Sequence, residues 1–234
     1  PALAFAVAYL LNPTVQAALD AIDADPDTPG IQVLEGRSVT VKPTVTDDVQ
    51  VRNVELLVNG QVVVNDASFP FDLVTRAPAI AQGGNTMSIQ VRATDTGGNS
   101  TLSDAIVLTV VPDTFPPVLQ SVNVDEGARR FFVKSIDLQF DEPLDVAKFD
   151  SSGVSLLRAG ADGVFGTDDD MAVPVTLDNR AQGQIVSILP GGYLSPGDYQ
   201  LTVNPAIIAD AAGNVLASPI VRHFTIRPAS DVRA

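Results

Sequence analysis

The sequence predicts an all-β fold: two β-sandwiches in tandem behind an apolar N-terminal segment. Three observations predict it. The chain has 234 residues, too many for one ordinary sandwich and comfortable for two. It carries 17 Gly and 17 Pro, with 45% hydrophobic but only 6% aromatic residues, a mix that favours short strands joined by turns. Apolar and polar residues alternate with the strand period of two in segment after segment from Ile31 onward.

The elements follow in order. In Pro1–Leu11, Leu3, Phe5, Val7, Tyr9 and Leu11 share one parity and Ala2, Ala4, Ala6 and Ala8 the other. Both faces are apolar, so a strand here needs cover on both sides; an Ala-rich helix is the competing reading. Asn12-Pro13 breaks the run, and Thr14–Ile22 fits a short helix with Val15, Ala18, Leu19 and Ile22 on one face. Asp23–Gly30 is an acidic Pro/Gly linker. Arg37–Thr46, Met87–Thr94 and Ala105–Val111 alternate, and Val54–Val64 reads as two strands around an Asn59-Gly60 turn. About seven strands in roughly 85 residues suit an immunoglobulin-like sandwich.

Asp113–Pro117 is a second linker, stiffened by Pro116-Pro117. A second set of strands follows at Val118–Val124, Lys134–Phe140, Val154–Leu157, Ala172–Leu177, Gln184–Leu189, Asp198–Val203 and Arg222–Ile226. The expected division is an N-terminal segment at 1–25, sandwiches at 26–112 and 113–228, and a polar tail at 229–234. D-x-x-G-N recurs at Asp95–Asn99 and Asp210–Asn214, each shortly before the last strand of its sandwich, as two similar modules in tandem would have it.

Composition excludes several functions. Lys plus Arg is 14 against 28 Asp plus Glu, a net charge of −14 that opposes nucleic acid and anionic membranes. With no Cys there is no disulfide, thiolate metal site or Cys nucleophile, and a single His leaves no multi-His metal site. No apolar run reaches the roughly 18 residues of a membrane span. The sequence opens on Pro1, as a processed product or a piece of a longer chain would. His223 falls on the outward parity of the closing strand, with Phe224 and Ile226 inward, and reads as a surface residue. No nucleophile elbow, phosphate loop or metalloprotease motif occurs, so no enzyme is expected.

Several segments carry a resemblance. Residues 31–111, through TDDVQVRNVELLVNG, Pro70-Phe71 and VRATDTGGNS, resemble the bacterial Ig module of large surface proteins. Residues 113–227, through DTFPPV, LQFDEPLD, YLSPGDYQLTV, IADAAGNVL and HFTI, resemble the Ig-like domain of surface-layer proteins. The resemblance implies an extracellular, cell-surface, non-enzymatic module for spacing, adhesion or assembly, whose partners are neighbouring domains or copies of the same protein.

The excess of carboxylates suits Ca²⁺, which takes oxygen ligands. Asp162–Asp170 puts Asp162, Asp168, Asp169, Asp170 and the Thr167 hydroxyl within nine residues, with Gly163 and Gly166 for sharp turns. It resembles a DGxFGTxDD loop inserted in bacterial surface proteins, and calcium loops generally, although Asp168 sits where that pattern varies; a solvated loop of Asx turns is the competing reading. Topology supplies a second set, because chain entry, B–C loop and F–G loop share one end of an Ig sandwich. In the first domain these are Asp25 and Asp27, Asp47 and Asp48, and Asp95 with Asn99. In the second they are Asp113, Asp141 and Glu142, and Asp210 with Asn214. Calcium there would stiffen the entry to each domain; ordinary turns are the competing reading.

The functional expectation is a structural or adhesion module rigidified by calcium. The apolar N-terminus either pairs within its own sandwich, is donated to a neighbouring subunit, or ends an upstream domain. The alternative is a ligand- or carbohydrate-binding accessory module of a larger secreted protein, against which the absence of Trp counts.

Overall fold

The computed structural model describes residues 6–7, 23–47 and 50–228. The chain forms two compact units, 1–113 and 114–234.

The first unit begins with β1 (Ala6–Val7), then β2 (Ile31–Leu34), β3 (Ser38–Val41), β4 (Val45–Thr46), β5 (Val51–Val58), β6 (Gln61–Asp66), β7 (Leu73–Arg76), β8 (Thr86–Asp95), β9 (Ser100–Leu102) and β10 (Ile106–Val111). One sheet runs β2-β10-β8-β5-β6, with β9 beside β8, and a second pairs β3 with β7. β2 lies parallel to β10, and the other pairs are antiparallel. Asn59-Gly60 joins β5 to β6 as a two-residue turn, with φ of 50° and 77°. Both angles are left-handed, which is why Asn and Gly stand there. In β8 the inward parity is Met87, Ile89, Val91, Ala93 and then Asp95, all buried. They pack with Val39, Val41, Leu56 and Leu73, and each large side chain contributes about 1.5–3 kcal/mol. β1 pairs antiparallel with β4, Ala6 opposite Thr46 and Val7 opposite Val45. The rest of the apolar N-terminal segment, including the helix expected over 14–22, lies outside the described residues.

The second unit contains β11 (Leu119–Val122), β12 (Ala128–Arg130), β13 (Ile136–Phe140), β14 (Val154–Arg158), β15 (Met171–Ala172), β16 (Val175–Arg180), β17 (Ile185–Pro190), β18 (Gly197–Val203) and β19 (Ile220–Ile226). Its sheets run β11-β13-β17-β16 and β12-β19-β18-β14-β15. The strand expected over 172–177 is two strands: β15 pairs β14 and β16 pairs β17, so the chain changes sheet at Val173-Pro174. Pro174 has no N–H and cannot continue a ladder. Between the sheets, Ile136, Leu138, Phe140 and Ile188 face Leu156, Tyr199, Leu201 and Phe224. The Tyr199 and Phe224 rings stack at 5.3 Å, and the Tyr199 hydroxyl donates to the Ser195 carbonyl at 2.7 Å. That bond to backbone four residues upstream is the tyrosine corner of Ig-type sandwiches.

β13 gives the second unit two chemically different ends. At its C-terminal end the chain continues into Asp141 and Glu142, beside the backbone bridge between Leu144 and Asp210. At its N-terminal end lie Phe132 and Lys134 and, through the antiparallel pairing with β17, the turn after Pro190.

Candidate metal centre

The inward parity of β13 is Ile136, Leu138 and Phe140, and Glu142 continues it past the strand, 1% exposed. Asp141, on the other parity, turns away, and its Oδ1 accepts the Val118 N–H at 2.7 Å. Asp210 opens the D-x-x-G-N turn and is 2% exposed. Its Oδ1 accepts the Gly213 and Asn214 N–H groups at 2.7 and 2.9 Å, and its Oδ2 accepts the Asn214 side-chain amide at 2.8 Å. Gly213 takes φ 97°, a conformation that favours glycine. Asp113, 4% exposed, lies where the chain leads into β11, and its Oδ2 is 3.2 Å from Arg37 Nε.

Asp113, Glu142 and Asp210 each bring a carboxylate oxygen within 4.8 Å of the others. This is the one such group of three among the described residues. A pair of ionised carboxylates at that separation repels by roughly 3 kcal/mol at an effective dielectric of about 20. A cation placed among carboxylates this close removes that repulsion. An all-oxygen set without His or Cys fits a hard cation such as Ca²⁺ and does not fit zinc.

The first domain repeats the turn without the cluster. Asp95 Oδ1 accepts the Asn99 N–H at 2.7 Å and its Oδ2 the Asn99 amide at 2.8 Å. The Asn99 bond holds the Asp95 carboxyl below its ordinary range, against burial, which pushes it up. Asp25 accepts the Thr28 hydroxyl at 2.6 Å, Asp27 is exposed on the same turn, and Asp47 accepts the Gln50 N–H at 2.8 Å. Asp25, Asp27, Asp47 and Asp95 do not gather as the second-domain acids do. Asp48 lies outside the described residues.

The Asp162–Asp170 loop turns its acids onto its own backbone. Asp162 accepts the Val164 N–H at 2.9 Å, Asp169 the Ala161 N–H at 2.7 Å, and Asp170 the N–H groups of Gly160 and Gly166 at 3.2 and 2.6 Å. Thr167 Oγ1 donates to Asp169 at 2.8 Å, a bond that lowers the Asp169 pKa. Asp168 is exposed. Phe165 anchors the loop, its ring 5.6 Å from that of His223. His223 is a half-buried strand residue whose Nδ1 is 2.8 Å from Glu126 Oε1, and Phe224 and Ile226 point inward as expected. Asp145 caps the short 3₁₀ turn Val146–Lys148 by accepting the Ala147 N–H at 3.1 Å. Arg37 escaped the sequence reading because an isolated Arg opening a strand carries no motif.

No helix among the described residues is long and apolar enough to cross a membrane. No curated protein matches the chain. Among solved structures, the copper-resistance protein PcoC of Escherichia coli is 20% identical over 47% of this chain and 99% of its own, with a TM-score of 0.38. The N-terminal part of the bacterial S-layer protein SbsC is 17% identical over 48% of this chain and 24% of its own, with a TM-score of 0.34. Fibronectin(III)-like modules of Clostridium thermocellum CbhA are 22% identical over 36% of this chain and 92% of their own, with a TM-score of 0.31. At these TM-scores none of the three likenesses bears on function. Family models do match: residues 27–91 fit the bacterial Ig domain and residues 113–226 the bacterial Ig-like domain. The chain is a tandem of two bacterial Ig-like domains.

Proposed function

We propose that this chain is an extracellular structural and adhesion module of a bacterial surface or filament protein, rigidified by calcium. One observation carries the calcium reading: Asp113, Glu142 and Asp210 are buried, with a carboxylate oxygen of each within 4.8 Å of the others. Calcium would be held by these carboxylates, and its charge would remove their repulsion. The side chains do the remaining work: Asn214 orients Asp210, Arg37 orients Asp113, and Glu142 is aimed by the parity of β13. Calorimetric titration of the full chain with Ca²⁺ tests the reading. Binding in the 10⁻⁴–10⁻³ M range of extracellular modules is expected, lost in Glu142→Gln. Binding that persists in Glu142→Gln and disappears when Asp169 and Asp170 are changed to Asn would move the ion to the 162–170 loop.

Assembly by N-terminal strand donation belongs to the same reading. The pairing of Ala6–Val7 with Val45–Thr46 is what a donated strand would exchange between copies. Deleting residues 1–11 should abolish any polymer seen by negative stain; polymers that persist would exclude donation. A non-enzymatic role accords with the two families, whose modules act as structural parts.

A further inference from the structure

We infer that the end of the second domain opposite the buried carboxylates is a docking groove for a second copy of this chain, and that it takes that copy's acidic segment Asp23–Gly30. The inference depends neither on calcium nor on strand donation.

Three adjoining cavities, of about 260, 320 and 230 Å³, form the groove. The first two share Gly192 and Tyr193, and the last two share Phe132, Val133 and Lys134, so they run as one depression across the end of the sandwich. Arg130, Lys134 and Arg158 line them, and no acidic residue does. In a chain with twice as many acids as bases, that reversal of sign is a local field that draws carboxylates. Arg130 lies 4.0 Å from the exposed Asp125 carboxylate, but Arg158 donates to the Pro196 carbonyl rather than to a carboxylate, and Lys134 has no ion-pair partner among the described residues.

Aromatic surface runs through the middle. Tyr193 is 89% exposed and Phe132 53%, their rings 5.6 Å apart, with Met171 exposed nearby. Leaving such side chains in water forgoes the stabilisation that burying them would supply. Tyr, Phe, Met and Arg together are the composition of protein interfaces, which favours a protein occupant.

Charge complementarity names the occupant. Asp23–Gly30 carries Asp23, Asp25 and Asp27 and no basic residue, and is exposed from Ala24 to Gly30. Its turn is already closed, the Thr28 N–H donating to the Asp25 carbonyl at 3.1 Å, so it loses little entropy on docking. Groove and segment are different surfaces, and every copy offers both, so the contact propagates from copy to copy. One short segment in one groove places the affinity at the weak end of specific interfaces, made effective by the crowding of copies on a surface.

Sedimentation velocity of the full chain in chelator, at low salt and at about 0.5 M salt, tests this. Association that grows with concentration and is lost at high salt is expected. Lys134→Glu with Tyr193→Ala should weaken it at least about tenfold, as should Asp25→Asn with Asp27→Asn. All four side chains are on the surface, so both variants should melt like the parent, and deletion of residues 1–11 should leave the association intact. A mixture of the two double variants retains one good contact per pair and should stop at dimers. A parent chain that stays monomeric, or variants that associate like the parent, would overturn the inference. So would binding of polygalacturonate by the groove of a monomeric chain, which would assign it to an anionic glycan.

Discussion

The Asp210 carboxylate holds Asn214 by both of its donors, the backbone N–H at 2.9 Å and the side-chain amide at 2.8 Å. Asp95 holds Asn99 the same way in the first domain, at 2.7 and 2.8 Å. Among the described residues, Asp113 and Glu142 join the acid at Asp210, and no such group forms at Asp95. Asn214→Ala would leave one Asp210 oxygen without its amide while keeping the charge. It should cost about 1–2 kcal/mol in urea unfolding of the second domain and weaken calcium binding. An unchanged midpoint would mean that Asn214 does not orient the acid.

The Asp95 and Asp169 carboxyls are held below their ordinary value of 3.8, by hydrogen bonds from Asn99 and Thr167 first. A depressed folded-state pKa adds stability that is full above the unfolded value and is lost as pH falls through the folded value. Melting temperature should therefore fall as the pH drops below the ordinary carboxyl value, and Asn99→Ala should flatten that fall. The same slope in Asn99→Ala would place the acid sensitivity elsewhere.

Tyr199 is buried in the core with its hydroxyl on the Ser195 carbonyl. Tyr199→Phe keeps the stacking on Phe224 and removes only the hydroxyl. A loss of about 1–2 kcal/mol in urea unfolding is expected, with no change in calcium affinity, because the corner is at the far end of the sandwich from Glu142. A neutral substitution would show that the corner does not hold the turn before β18.

Gly160 lies against the Asp169 carboxyl group, where a Cβ would overlap it. Gly160→Ala should therefore release Asp169 from the Ala161 N–H and open the 160–170 loop. Hydrogen exchange at Ala161 and Gly166 should accelerate while the β13 and β17 amides stay protected. Unchanged exchange would show that the loop closes without Asp169.

Much of this architecture was legible in the chain. Asn59-Gly60 fixed a hairpin because few other residues accept two left-handed conformations in succession. The second-domain acids were legible as a set because Ig topology brings entry, B–C and F–G segments to one end. Which acid turns inward was not separated in the sequence, where Asp141 and Glu142 stood together: Glu142 extends the buried parity of Ile136, Leu138 and Phe140, and Asp141 does not. The 162–170 loop was legible only as acid content, since composition does not say whether a carboxylate faces a cation or its own amides. The groove was not legible at all. Phe132 and Tyr193 are far apart in sequence and meet only because β13 pairs with β17.

The most direct test of the central claim is the melting curve of the full chain in millimolar Ca²⁺ and in chelator, beside Glu142→Gln. At about 100 times the dissociation constant, calcium should add about 2.7 kcal/mol to the second domain, a rise of several degrees in its transition. Glu142→Gln should remove that rise. Superimposable curves for the parent with and without calcium would contradict the account.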